Sequence, residues 1–329
     1  MGVPGTKSGF TQAGGPGRPD IRRSVRYPYA RDPPTPGMLT FVGLGLYDER
    51  SVTVAGRDAI RSADRVFAEF YTSKLAGATV ADLEASHDID IEVRSREGVE
   101  REPDPVLDAA EAGDAVFLTA GDTMIATTHV DLRLRAHERG IETAIVHGTT
   151  AAAAAASLTG LQNYRFGKAT TLPFPYAHGG RASKDASGER TESASVPASV
   201  LGTVAANRER GLHTLCFLDI KVGHERAGAD EYMTASTAAS LLTEAGRGDE
   251  LAVRGDELAV RGDDLAVVVA RAGGPEPVVA AARLSALAER DFGDPLHLLV
   301  LPGELHHIER DALVELADAP PALVDERLA

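Results

Sequence analysis

An α/β fold built around a mostly parallel sheet is what this sequence predicts, and three observations predict it. Short apolar runs recur at 39–42, 115–119 and 141–146. Stretches of helical pattern, each roughly ten residues long, lie between such runs. The runs also end alike, in glycine or small polar residues: Gly43-Leu-Gly-Leu46, Ala120-Gly-Asp122 and His147-Gly-Thr-Thr150. Strands alternating with helices pair in parallel, and such a sheet builds its site at the C-terminal ends of its strands.

The elements follow in order. Leu39 to Val42 reads as a buried strand broken by Gly43 and Gly45, and a helix follows near 51–61. Asp64 to Glu69 is a second strand, closed by Tyr71. A helix is expected at about 78–85, an extended piece at 89–93 and a short helix at 104–111. The strand 115–119 precedes a helix over 128–138, and 141–146 is a further strand. Thr150 before six alanines reads as the cap of a slim helix that runs to Gly160, close either to a ligand or to the sheet. Residues 178–199 are polar and read as a flexible loop. Beyond it, 200–207 is helical, 214–220 a strand, 234–244 a helix, 265–271 a strand, 284–288 a helix and 296–301 a last strand.

Residues 1–37 stand apart. They hold seven Gly, seven Pro and six Lys or Arg against two Asp, a net +4 beside −19 for the rest. Few apolar side chains are there to bury, so this stretch is expected to be a disordered tail, with Met38 the start of the folded protein. Arg247-Gly-Asp-Glu-Leu-Ala-Val253 recurs as 254–260 and, with Asp for Glu, as 261–267. Seven residues are too few for a solenoid repeat, so the copies read as a duplication that lengthens a surface loop.

Composition excludes several classes. One cysteine, Cys216, lies in an apolar run, which rules out a disulfide framework and a thiolate cluster. No run approaches the length needed to span a bilayer, and no signal peptide is evident; a cytoplasmic protein is expected. The net charge is −15, and arginine supplies 29 of the 34 basic residues. Such a surface repels a phosphate backbone, so no direct nucleic-acid binding is expected, and it suits a salt-loving source.

The residues leave the chemistry open. GxGxxG fails because position 48 is Asp, and there is no GxxxxGK[ST], HExxH or GxSxG. The first turn is therefore either a plain βα turn or a close approach to a ligand without a phosphate cradle. His297, His306 and His307 read as packing or surface residues, and no metal site is expected.

Several segments carry a resemblance. Met38-Leu-Thr-Phe-Val-Gly-Leu-Gly-Leu-Tyr-Asp-Glu49, Gly121-Asp-Thr-Met-Ile-Ala-Thr-Thr-His129, Leu161-Gln-Asn-Tyr-Arg-Phe-Gly167, Phe217-Leu-Asp-Ile-Lys221, Glu231-Tyr-Met233, Ala270-Arg-Ala-Gly273 and Phe292-Gly-Asp-Pro-Leu-His297 with Leu301-Pro-Gly303 stand in order. Together they resemble the diphthine synthase family, within the tetrapyrrole-methylase-like methyltransferases. The resemblance implies two α/β domains with a cofactor cleft between them, here 38–147 and 148–318, followed by a tail at 319–329. It implies a homodimer, and with the acidic composition the expected source is a halophilic archaeon. It also implies S-adenosylmethionine-dependent methylation of the amino group on the 3-carboxy-3-aminopropyl-modified histidine of elongation factor 2, giving diphthine. The family's cofactor positions fall on Leu46, Asp122, Ile125, Thr150, Ala151, Leu218, Ala272 and His297.

Physics agrees with that cofactor, which carries a sulfonium and no phosphate. An apolar slot from Leu46, Ile125 and Leu218 suits adenine, and Asp122 suits a cation or a hydroxyl. Alignment supplies much of the rate, and a base would help by taking the ammonium proton. Tyr71, Tyr176 and His129 are the candidates, with no catalytic residue assigned. The competing reading is a same-fold methyltransferase acting on a corrinoid or tetrapyrrole precursor or on RNA. Removing residues 1–37 is expected to leave methyl transfer intact, measured with labelled cofactor; a large loss would show that the tail takes part.

Overall fold

The computed structural model describes residues 37–175, 196–222, 230–246 and 260–329, with two short strands at 183–184 and 190–191. The expected tail up to residue 36, most of the 178–199 loop, Tyr176 and the heptad copies up to 259 lie outside these residues.

The first sheet is all parallel. Its strands are β1 Met38–Gly43, β2 Arg65–Glu69, β3 Ile91–Val93, β4 Ala115–Thr119 and β5 Glu142–Val146, in the order β3-β2-β4-β1-β5. β1 lies between β4 and β5, with Phe41 level with Phe117 and Ile145. Both faces are covered, which is why β1 and β4 read as unbroken apolar runs. Phe41, Phe67 and Phe117 pack on α4 Asp104–Ala112 and α5 His129–Glu138. Val42, Val116 and Leu118 face α1 Val54–Ser62 and α2 Val80–His87. Between β3 and α4 the chain forms α3 Arg96–Glu100, a helix the periodicity does not announce. Caps start the helices where small polar residues allow: Thr53 accepts from Gly56 N, and Thr79 and Asp82 make a reciprocal capping box.

The second sheet corrects the expectation of parallel pairing. Its strands are β6 Thr170–Leu172, β9 Thr214–Leu218, β12 Leu265–Ala270, β13 Val278–Arg283 and β14 His297–Leu301, in the order β13-β12-β14-β9-β6. Only β6 and β9 run parallel; β13, β12, β14 and β9 pair antiparallel in turn. The cause is the connection after β12. Residues 271–277 include Gly273 and Gly274 and are too few for a parallel crossover, so the chain folds back as a hairpin. β13 itself, Val-Val-Ala-Ala-Ala-Arg, carries no strand periodicity. One face of this sheet packs on α7 Ala198–Arg208, α8 Ala235–Ala245 and α9 Leu284–Ala288. The other packs on α6 Ala151–Thr159 and α10 His307–Ala317. The strand expected over 214–220 breaks at Asp219. The chain leaves the sheet there, and β10 Ile220–Lys221 pairs with β11 Glu231–Tyr232 as a separate ribbon. β7 Ser183–Lys184 and β8 Arg190–Thr191 pair as a second ribbon.

The last segment is not the tail expected over 319–329. α11 Pro321–Asp325 buries Leu323 and Val324 against the second sheet's core. Leu305 N donates to Arg327 O at 2.7 Å, and Arg327 pairs with the buried Asp264 at 2.6 Å. Full burial of two aliphatic side chains and the loss of these bonds set the scale: truncation after Asp318 is expected to cost on the order of 3 kcal/mol. Chemical denaturation measures it, and an unchanged midpoint would show that the segment is dispensable.

Candidate functional site

Three strand ends of the first sheet converge on glycines. A Cβ on Gly43 would stand 2.6 Å from Gly121 O and from Gly148 N, and one on Gly148 would stand 2.2 Å from Gly121 O. Gly45, at φ 78°, and Gly121, at φ 77°, bond each other's backbones across an isolated bridge. The loops after β1, β4 and β5 can touch only because no side chain intervenes. The GxG of the first turn is thus a close-packing device, and the turn leaves Leu46 projecting beyond it.

Asp122 ties these loops together. It is buried; Oδ2 accepts from His147 Nδ1 at 2.7 Å and from Gly148 N at 3.2 Å, and Oδ1 accepts from Met124 N at 2.9 Å. His147 and Gly148 lie after β5, so one carboxylate joins two strand ends. On the other side, His297 opens β14 and is buried. Its Nδ1 accepts from Ala235 N at 3.1 Å and its Nε2 donates to Asp294 O at 3.0 Å. Both ring nitrogens are engaged and burial lowers its pKa, so His297 is a neutral, fixed wall. Thr150 caps α6 through Ala153 N at 3.2 Å, setting Ala151 in the helix's first turn.

Between the two sheets' strand ends lies a cavity of ≈ 330 Å³, within the ordinary range for small-molecule sites. Leu46, Asp122, Ile125, Thr150, Ala151, Leu218, Ala272 and His297 all line it. The first three come from the ends of β1 and β4, Thr150 and Ala151 from the start of α6, and the last three from the ends of β9, β12 and β14. Leu46, Ile125, Leu218 and Ala272 supply apolar walls of the kind an adenine face requires, and the described lining includes no phosphate cradle. Asp122, Thr150 and His297 add polar groups already held in place. These residues fit S-adenosylmethionine. Among the described residues no cluster of His, Cys, Asp or Glu has the geometry of a metal centre. His306 and His307 stack on each other away from the cavity, where His306 caps α10.

Comparison with known proteins accounts for this arrangement. Residues 38–288 match the family of tetrapyrrole (corrin/porphyrin) methylases. The diphthine synthase of Natronomonas pharaonis is 67% identical over 293 residues, covering 88% of this chain and 99% of that protein. That of Methanosarcina acetivorans is 44% identical over 291 residues, covering 88% and 99%. A crystal structure of a diphthine synthase superposes with a TM-score of 0.70 at 35% identity, over 88% of this chain and 99% of that one. The chain belongs to the diphthine synthase family. It is accordingly an S-adenosylmethionine-dependent methyltransferase of the tetrapyrrole methylase fold.

Of the three proton acceptors considered, Tyr176 lies outside the described residues. The other two are ill placed. His129 is fully buried and does not line the cavity. Tyr71 lines it, but its phenolic oxygen is buried without a partner among the described residues, and burial pushes its pKa up, so it keeps its proton. Both instead belong to a buried cluster with Glu69, which ends β2. His129 Nδ1 faces Thr123 O at 3.0 Å, and a carbonyl only accepts, so Nδ1 carries the hydrogen. Its Nε2 lone pair then faces Glu69 Oε1 at 3.4 Å. A protonated Glu69 suits that contact, and burial raises its pKa from 4.5 to about 7. Burial lowers the pKa of His129, which keeps the ring neutral. At that distance the two atoms make no hydrogen bond, and it is the Nδ1 bond to Thr123 O that ties His129 to the loop carrying Asp122 and Ile125. Neither Glu69, behind the cavity, nor the cavity residues Lys74 and Arg96 are marked by any sequence pattern, whereas Asp219 lies within the Phe217–Lys221 segment at a strand end, where site residues gather.

The sign of the pH effect follows. Between 4.5 and about 7, folded Glu69 holds a proton that the unfolded chain has released, so stability falls as pH rises through that window. Glu69→Gln removes this titration. Its stability relative to wild type is expected to rise across the window and then level off, by on the order of 3 kcal/mol. Melting temperatures of both proteins across that range test it; a gap independent of pH would exclude a protonated Glu69.

Proposed function

We propose that this chain methylates the amino group of the 3-carboxy-3-aminopropyl-modified histidine of elongation factor 2, giving diphthine in diphthamide biosynthesis. The cavity carries the reading. Ends of both sheets' strands meet around a slot that has apolar walls and no phosphate cradle, in a chain whose relatives are diphthine synthases. When bound, S-adenosylmethionine supplies a methyl group already activated for transfer. The chain's own task is to hold donor and amine in line and to keep water from the reacting centre.

The reading extends to a cytoplasmic homodimer from a salt-loving archaeon. The charge of −15 and the haloarchaeal relatives support the source, and no helix among the described residues is long and apolar enough to cross a membrane. An acidic surface of this kind speeds encounter with a basic protein face and disfavours nucleic acid.

Labelled cofactor and purified elongation factor 2 carrying the aminocarboxypropyl histidine test the reading directly. Label is expected on that protein. Label reaching a corrinoid precursor or transfer RNA, and not the factor, would overturn it.

A further inference from the structure

Two oppositely charged side chains line the cavity from different lobes without neutralising each other. Asp219 stands where the chain leaves the second sheet. Its backbone is fixed on both sides, with N donating to Leu172 O at 3.1 Å and O accepting from Met233 N at 2.9 Å. Its Oδ2 accepts from Phe174 N at 2.9 Å, which sets the carboxylate plane. Its Oδ1 has no donor among the described residues and belongs to a group that borders the cavity.

Lys74 comes from the first lobe, between β2 and α2. Its Nζ sits over the Tyr232 ring, 3.8 Å from the centroid. No carboxylate lies within ion-pair distance of it among the described residues. The other cations of the cavity are occupied: Arg96 pairs with Glu100 at 3.1 Å, and Arg271 donates to Phe292 O at 2.7 Å. Tyr232 links the two groups. It pairs in register with Ile220, the residue after Asp219, and the residue after Tyr232 is Met233, which bonds Asp219. Lys74 is therefore brought to the same end of the cavity as Asp219.

A free carboxylate oxygen and a free ammonium at one end of a cavity are complementary to a molecule that carries both charges on one carbon. We propose that Asp219 and Lys74 form a clamp for an α-amino-acid head group, Asp219 taking the ammonium and Lys74 the carboxylate, and that the head group is the one on the substrate's modified side chain. This rests on the function proposed above. S-adenosylmethionine also ends in such a group. However, none of the residues expected to hold the cofactor lies on the 70–76 loop that carries Lys74, and Asp219 turns away from the sheet directly after Leu218, where its backbone bonds to Leu172 and Met233 set it beside the β10–β11 ribbon. Holding the nitrogen and the carboxylate together fixes two substituents of the α-carbon, and thereby the direction in which the amine points.

Asp219→Asn keeps an acceptor for Phe174 N while removing the charge, and Lys74→Gln and Lys74→Arg separate charge from chain length. The full chain is titrated calorimetrically with S-adenosylhomocysteine and with 5′-methylthioadenosine, which lacks the amino-acid end. Steady-state rates are measured on modified elongation factor 2. Asp219→Asn and Lys74→Gln are each expected to lower kcat/KM for the factor about tenfold, the worth of one charge-assisted hydrogen bond, with nucleoside binding unchanged and Lys74→Arg recovering most of the loss. Unchanged kcat/KM would overturn the clamp. Weakened S-adenosylhomocysteine with unaltered 5′-methylthioadenosine would assign it to the cofactor's own end and overturn the substrate clamp; weakening of both would make the pair a support of the cavity and overturn it equally. Wild-type protein that binds S-adenosylhomocysteine but never labels the factor would instead sink the function proposed above.

Discussion

The site depends on one steric constraint: three strand ends must meet with nothing between them. Gly121 O occupies the space that a Cβ on Gly43 or on Gly148 would need. Any larger residue at either position drives β1 or β5 away from β4, and hydrogen bonds outside the sheet would break with it. Those bonds include the one from Gly148 N to Asp122 and the paired backbone bonds of Gly45 and Gly121. The close approach turns three separate loops into one floor, from which Leu46, Ile125 and the start of α6 project into the cavity.

The second lobe completes the cavity by a different route. Its sheet is largely antiparallel, so the ends of β9 and β12 and the start of β14 arrive at one edge by alternating direction rather than by repeated crossovers. Aromatic and aliphatic side chains from the first turn reach across to it. A Cβ on Gly273 would stand 2.7 Å from the Leu46 side chain, and one on Gly274 would stand 2.8 Å from the Tyr47 ring. On its other side the same ring lies against Gly77, whose N donates to Tyr47 O at 2.8 Å. Tyr47 is thus held between the lobes, and the β1 turn sets both the floor of the cavity and the spacing of its walls.

What the sequence makes legible is what a local pattern can encode. β1, β4 and β5 are covered on both faces, and uninterrupted apolar runs follow from that. The eight positions that the resemblance marks for the cofactor lie at the ends of such runs or the start of the alanine helix, and the structure places them around one cavity. β13 was hidden because its neighbours, not its periodicity, make Val278–Arg283 a strand. α11 was hidden because Leu323 and Val324 are buried by the second sheet's core, and the Arg327 that follows is anchored by Asp264, 63 residues away in the chain. Glu69 was the least legible: a carboxyl that closes a strand reads the same whether it faces water or a buried imidazole. Only the fold shows that His129 waits on the other side.

Contacts of this buried kind are also the ones that salt screens least. At high ionic strength the Debye length shrinks to a few ångströms. Exposed pairs such as Arg101–Glu97 and Arg135–Asp131 then add little to stability. A chain with a net charge of −15 gains solubility from its surface and cannot take its internal geometry from it. The glycine contacts, the Asp122 bond to Gly148 and the His129 bond to Thr123 O lie where mobile ions do not reach. The cavity's geometry therefore rests on packing and on enclosed hydrogen bonds, which screening leaves intact, and the acidic exterior is free to vary around it.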